Sequence, residues 1–219
     1  MMPGPDQVVA CPMCGGLAHH ITLFSGNTLG ARIWTDGKEI APMMPSPPAI
    51  VKCHHCEECY WLAEAEKVGT FNWWEDNDEQ VNPDWLKAKA VQEPTEVEYF
   101  RALERGLARN SDEERTLRVL AWWRRNDAFR DHLETDAGGI ESTPETWRKN
   151  LEALAHILDE EDENDSLMKA EVLRELGEFE LARQILGRVN SSEAARIVRE
   201  LRSLCDNGDM SVRELRFNT

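Results

Sequence analysis

Two short cysteine clusters, CPMCGG at residues 11–16 and CHHCEEC at residues 53–59, constrain the fold of this chain more than any other feature. The clusters contain two CxxC pairs, formed by Cys11, Cys14, Cys53 and Cys56. Two intervening residues let the backbone curl so that both sulfurs of a pair point to one centre, and four thiolates complete a closed tetrahedral site. We therefore predict one structural Zn²⁺ ion bound by these four cysteines.

Iron is the main alternative metal. Rubredoxin also holds one iron with two CxxC pairs, and CxxCxxC runs occur in cluster-binding ferredoxins. Two features favour zinc. Against a rubredoxin-like site, CHHCEE is predicted to lead into a helix, whereas the second pair of rubredoxin is normally another CPxCG knuckle. Against an iron–sulfur cluster, the fourth cysteine that usually follows in a Cys-Pro context is missing.

Cys59 and four histidines lie close to the clusters. On the predicted helix Cys59 would follow Cys56 by one turn, so it either packs as a small apolar group or substitutes for a ligand of the second pair. Packing is the preferred interpretation. Because four cysteines already close the site, His19, His20, His54 and His55 are expected to contact the ligands from outside or to face solvent.

The order of elements around the pairs resembles a treble-clef zinc finger, or more generally a zinc ribbon. A CPxCG knuckle is followed by ARIWTDGKEIAP, which alternates around the turn dipeptide Asp36-Gly37, and EECYWLAEAEKV after Cys56 has the pattern of a short helix. The resemblance covers residues 8–68 and implies metal binding without implying a function. The surplus loop PMMPSPP at residues 42–48 is interpreted as a stiff connector, with a partner contact as the alternative.

Three parts are therefore expected, namely a zinc-binding finger at 1–68, a tryptophan-rich segment at 69–94 and a helical domain at 95–219. The middle segment contains Trp73, Trp74 and Trp85, which we expect to pack between the other two parts, because such large apolar rings are rarely left in water. Its acidic neighbours argue against a platform that stacks bases.

The C-terminal half has the helical period. Thr95 with Glu98 forms a capping-box pattern, and Thr143 with Pro144 starts another helix. LMKAEVLRELGEFELARQILGRV at 167–189 resembles one degenerate tetratricopeptide repeat, with Ala170 and Ala182 at the small positions and Gly177 in the turn. The expected fold class is therefore mainly α, a small treble-clef-like finger followed by a tetratricopeptide-like bundle.

Composition narrows the function. The net charge of −16 disfavours nucleic acid and anionic membranes as partners, although Arg32, Lys38 and Lys52 could form a local basic patch. No secretory signal or membrane span is predicted, which indicates the cytoplasm. No catalytic constellation occurs, and AWWRRND at 121–127 is interpreted as a helix end held by ion pairs.

We therefore expect a non-enzymatic zinc-binding adaptor with a helical surface for a protein partner. The alternatives are an iron electron carrier or redox sensor, and a nucleic-acid regulator.

Overall fold

The computed structural model describes residues 1–72, 82–130 and 142–216. The chain folds into two units. Unit 1 comprises Met1–Ala31 and Ala41–Pro94, and unit 2 comprises Arg32–Ile40 and Thr95–Thr219. Of the described residues, 42% lie in helices and 18% in strands, so the fold is mixed α and β. The expectation of a mainly α fold with a tetratricopeptide-like bundle is wrong.

Unit 1 is built from short strands. Its largest sheet contains β2 (Asp6–Ala10), β3 (Leu17–His20), β9 (Glu66–Phe71) and β10 (Lys89–Ala90), in the spatial order β10-β3-β2-β9. Two further antiparallel pairs join β1 (Met2–Pro3) to β4 (Leu23–Ser25), and β7 (Ile50–Lys52) to β8 (Cys59–Trp61). A short helix, α1 (Pro83–Lys87), precedes β10. Val8, Val9 and Phe71 are buried in the largest sheet, where alternate positions of paired strands face the same side.

The segment after Cys56 is the clearest local error of the sequence-based interpretation. EECYWLAEAEKV forms strand β8, a 3₁₀ turn at Leu62–Glu64 and the start of β9, instead of a helix. Tyr60 and Trp61 prefer the pleated surface of a sheet, and Tyr60 is buried in this one. The treble-clef order of knuckle, hairpin and helix is therefore absent from the described part of unit 1.

Unit 2 contains most of the helices. These are α2 (Glu96–Glu104), α3 (Ser111–Asn126), α4 (Pro144–Ile157), α5 (Glu163–Glu175), α6 (Phe179–Leu186) and α7 (Ala195–Asp206). Two of them begin where the sequence predicts, since Thr95 and Glu98 form the reciprocal capping box of α2, and Thr143 caps α4 with Pro144 at its first position. Asn110 caps α3.

The helices share two apolar clusters. Trp122, Leu151, Leu154 and Val172 are fully buried where α3, α4 and α5 meet. Ala170, Leu186 and Leu201 belong to a second cluster formed by α5, α6 and α7. Gly177, with a φ of 82°, lies in the turn between α5 and α6. This helical hairpin belongs to a unit that also contains a three-stranded sheet, which a stack of helical repeats lacks.

That sheet contains β5 (Arg32–Trp34), β6 (Glu39–Ile40) and β11 (Glu214–Leu215), in the spatial order β11-β5-β6. The predicted hairpin at Asp36-Gly37 is confirmed, but its loop has three residues, because Trp34 donates its N–H to the carbonyl of Lys38. Gly37 has a φ of 78°, the left-handed conformation that such a loop requires. The hairpin belongs to the helical unit rather than to the cysteine-bearing one.

The tip of this hairpin enters a buried polar cluster of unit 2. The carboxylate of Asp36 is fully buried and accepts hydrogen bonds from Arg130 at 3.2 and 2.5 Å and from Asn126 at 3.0 Å. Arg130 also donates to Asp127, which accepts from Lys38 as well. Each buried charge of this cluster therefore has an oppositely charged partner, as burial in a low-dielectric interior requires.

Trp73 and Trp74 lie outside the described residues, so their expected packing stays a prediction. Trp85, on α1, packs directly on the backbone of Gly69 in β9. A Cβ added at Gly69 would come within 2.0 Å of the indole ring. Trp85 therefore packs inside unit 1.

Candidate metal centre

The four predicted cysteines come together in unit 1. Each CxxC pair forms the turn of a separate β-hairpin, Cys11 and Cys14 between β2 and β3, and Cys53 and Cys56 between β7 and β8. The four Sγ atoms all lie within 4.8 Å of one another. The two hairpins thus bring residues about forty positions apart in sequence to one point.

Both turns have the same backbone geometry. Gly15 donates its N–H to the carbonyl of Cys11 at 2.8 Å, and Glu57 donates to that of Cys53 at 3.0 Å. In each turn the first cysteine then donates its own N–H to the carbonyl five residues later, at 2.9 and 3.0 Å. Gly15 has a φ of 72° and Glu57 a φ of 61°. The second pair is therefore also a knuckle, which removes one argument that the sequence offered against iron.

The sulfur geometry fits a single tetrahedral ion. Cys11 Sγ lies 3.9 Å from Cys56 Sγ, and Cys14 Sγ lies 3.6 Å from Cys53 Sγ. A regular tetrahedron with metal–sulfur bonds of about 2.3 Å has edges of about 3.8 Å. Backbone N–H groups of Gly16 and His55 also point at Cys14 Sγ and Cys53 Sγ, at 3.4 and 3.3 Å. These donors favour thiolates, the form that binds metal.

The cysteine thiols of the metal-free site differ in pKa. Burial raises the pKa of Cys11 to about 12 and also raises that of Cys56. Burial opposes ionisation of Cys53 too, but backbone N–H groups of Cys56 and His55 and bonds with neighbouring thiols lower its pKa to about 7. Metal binding must therefore displace protons from some of these thiols, which makes affinity fall as pH falls.

The surroundings of the sulfurs are apolar on one side. Cys11 and Cys53 are buried with Val51 and Tyr60, whereas Cys14 is exposed. Burial, reinforced by the nearby cysteine sulfurs, raises the pKa of Tyr60 to about 12. The centre thus has a dry inner side and one ligand at the protein surface.

Cys59 does not join the four-sulfur group. It lies at the start of β8, opposite Lys52, because the helix that would have placed it one turn beyond Cys56 does not form. The nearby histidines have other contacts. His54 Nε2 lies 2.7 Å from the carbonyl of Ala90, His20 Nε2 lies 2.9 Å from Gln7 Oε1, and His19 Nδ1 lies 2.8 Å from Asp6.

His55 stacks on the first knuckle. A Cβ added at Gly16 would come within 2.5 Å of the His55 ring, so only glycine allows this approach. The CPxCG motif predicted the turn at Gly15, but nothing in the sequence predicted the roles of Gly16 and Glu57. The β-forming residues Tyr60 and Trp61 after the second pair were the available signal for a second hairpin.

The suggested basic patch is largely neutralised. Arg32 forms an ion pair with Glu214 at 2.8 Å, and Lys38 forms one with Asp127 at 2.7 Å. Both pairs lie in unit 2, whereas Lys52 belongs to unit 1.

Within the described ranges, no helix is both long and apolar enough to cross a bilayer. Comparisons with protein-family models, curated proteins and solved structures each find no match.

Proposed function

We propose that this chain is a zinc-binding protein-interaction protein, in which Zn²⁺ has a structural role. The observation that carries the proposal is the group of four Sγ atoms within 4.8 Å of one another at the tips of two hairpins. Cys11, Cys14, Cys53 and Cys56 would hold the ion and fill all four positions of a tetrahedral site. A closed site leaves no position for substrate, so a structural role fits it better than a catalytic one.

The small apolar group beside the sulfurs supports the structural role. Among the described residues its buried members are Cys11, Val51, Cys53 and Tyr60, and two of these four are candidate ligands. Apolar burial at this end of unit 1 therefore depends partly on the cysteines themselves, and short hairpins gain little stability from so small a group. Metal–sulfur bonds would join the two hairpins and supply much of the missing free energy.

A groove on unit 2 supports the interaction role. It has a volume of about 610 Å³ and lies among α2, α3 and α4. Its lining combines the apolar side chains of Phe100, Leu103 and Ala153 with polar and charged ones such as Glu104 and Lys149. A helix or strand of a protein partner that carries both apolar and charged side chains fits such a lining.

Iron is a second candidate because both CxxC pairs form equivalent knuckles, as in rubredoxin-like sites. The exposed Cys14 would give an electron donor access to the metal. In this case the protein would be an electron carrier or redox sensor. Iron–thiolate proteins are coloured, whereas Zn²⁺ thiolates are colourless, so the two candidates are separable by eye.

The test measures metal content and visible absorption of the full chain purified without added metal. We expect one zinc per chain and a colourless protein. Cys14→Ser should lose stoichiometric zinc because it removes one of four ligands, whereas Cys59→Ser should keep it. If the purified chain instead contains one iron per chain, the zinc proposal is wrong and the second candidate function takes its place.

Chelation then tests the structural role. Removing the ion should collapse the dispersed NMR signals of unit 1, because structural zinc contributes on the order of 10 kcal/mol to folding. The far-UV circular dichroism of the helices should change much less. If unit 1 stays folded and cooperative after complete metal removal, the proposal is wrong.

A further inference from the structure

Unit 1 contains a long uncharged part. Residues 1–31 and 41–51 together hold a single charged residue, Asp6, although 30% of the whole chain is charged. At that average these 42 residues would carry about 13 charges. Asp6 is buried, with a carboxylate oxygen 2.8 Å from His19 Nδ1, so its carboxylate is not part of the exposed surface. The surface formed by these residues is therefore close to neutral in a chain of net charge −16.

Large apolar side chains are exposed on this neutral surface. We define the methionine face as Met2, Phe24, Leu29, Met43 and Met44, which are 58%, 71%, 78%, 37% and 43% exposed. Scattered exposed apolar residues are ordinary in proteins, but a contiguous set without charges is typical of a binding surface.

The backbone holds most of this face together. In the β1–β4 pair, Met2 lies opposite Ser25, the residue after Phe24. The next residue, Gly26, lies against the turn at 43–44, because a Cβ there would come within 2.6 Å of the Met43 carbonyl and 2.9 Å of Met44 Cγ. Asn27 also donates its N–H to the Met43 carbonyl at 3.3 Å. Strand β4 and the proline-rich loop therefore form one surface.

The size of the face approaches that of one side of a protein interface. Five residues with a full area of roughly 200 Å² each, exposed to the fractions given above, present on the order of 600 Å². A stable interface buries roughly 800 Å² on each partner, including its polar rim. Methionine side chains are flexible and polarisable, so they can adapt to a second apolar surface.

We propose that the methionine face is the contact between two copies of this chain in a two-fold symmetric dimer. Two copies that approach elsewhere bring like charges together, because each carries −16. At the methionine face this repulsion is smallest, and an uncharged apolar surface is complementary to itself. A symmetric contact of this kind needs only one patch on each copy. The proposal goes beyond the function proposed above and requires only that unit 1 is folded.

Sedimentation equilibrium of the zinc-loaded full chain tests the dimer. We expect a reversible monomer–dimer equilibrium that tightens between about 50 and 500 mM salt, since salt screens the repulsion between acidic copies. Phe24→Asp should raise the dimer dissociation constant at least about 30-fold, which corresponds to roughly 2 kcal/mol for a central interface residue. Met44→Asp should act in the same direction.

Leu181→Asp is the matched control, because Leu181 is an exposed apolar residue of unit 2, 48% accessible. It should leave the dissociation constant unchanged. Zinc content and circular dichroism of every variant show that the fold is kept, so loss of the dimer is distinguishable from loss of the metal centre. A chain that stays monomeric with zinc bound, a dimer insensitive to Phe24→Asp, or association that weakens with salt would each overturn the proposal. A monomer that binds neutral phosphatidylcholine vesicles through Phe24 would overturn it too and assign the face to lipid.

Discussion

Replacing Asp36 by alanine removes the acceptor at the centre of the buried cluster in unit 2. The wild-type carboxylate is fully buried and accepts two hydrogen bonds from Arg130 and one from Asn126. In the variant, the hydrogen bond that Arg130 keeps within the described part of the chain is the one to Asp127, a carboxylate that Lys38 also uses. The cluster is left with a positive charge in excess in a site closed to water.

The cost follows from that excess charge. Breaking a buried ion pair by removing one partner costs about 3–5 kcal/mol, because the remaining charge is desolvated without compensation. With a denaturant dependence of about 2 kcal/mol per molar urea, a loss of about 4 kcal/mol moves the unfolding midpoint down by about 2 M. Such a loss is a large part of the stability of most domains.

Urea unfolding of the full chain at constant zinc, followed by far-UV circular dichroism, measures this loss because unit 2 contributes most of the helical signal. Glu39→Ala is the control, since Glu39 is an exposed residue of the same hairpin, and it should change stability by less than about 0.5 kcal/mol. Combining Asp36→Ala with Arg130→Ala should cost about 2 kcal/mol less than the sum of the single changes. Additive costs, or an Asp36→Ala loss below about 1 kcal/mol, would show that the pair is not formed.

Two other positions give further tests. Glu57→Gly should stabilise the metal-loaded chain by about 1 kcal/mol, because Glu57 has a φ of 61°, which glycine adopts without strain. Glu58→Gly should not stabilise the metal-loaded chain. The thermal unfolding midpoints of the two variants measure this difference. Burial, with repulsion from Glu171 and Asp36, raises the pKa of Glu175 well above its usual range. The folded state therefore binds a proton that the unfolded state releases, so stability from this group falls as pH rises above about 4.3, by up to about 1.4 kcal/mol per unit. Glu175→Gln should remove that slope in urea titrations from pH 5 to 8, and an unchanged slope would contradict the assignment.

Local chemistry made part of this fold predictable. Thr95 with Glu98, and Thr143 with Pro144, mark helix starts through hydrogen bonds within one turn, and both starts are confirmed. Asp36-Gly37 marks a hairpin for a similar reason. The CxxC spacing brings each pair of sulfurs together locally, and the structure brings the two pairs to one point.

The unpredicted features depend on residues far apart in sequence. Nothing in TDGK indicates that Asp36 meets Arg130, 94 positions later, in a buried ion pair. The acidic run after Cys56 resembles the first turn of a helix, but the strand pairing of Tyr60 with Val51 decides that segment. Helical periodicity at 95–219 gave no sign of the small sheet that β11 completes. Each of these errors comes from tertiary contacts that override a local preference.

The placement of the hairpin at 32–40 has a practical consequence for dissecting this molecule. Nine residues from the N-terminal third complete the C-terminal unit, and they lie in the stretch of chain between the two cysteine pairs. A fragment beginning at residue 95 would leave Arg130 without its main counter-ion, while a fragment ending at residue 94 would carry the hairpin without Arg130 and Asn126, the residues that hold Asp36. Neither half should therefore fold as a stable unit, and expression trials cut at the apparent border should yield unstable, aggregation-prone products.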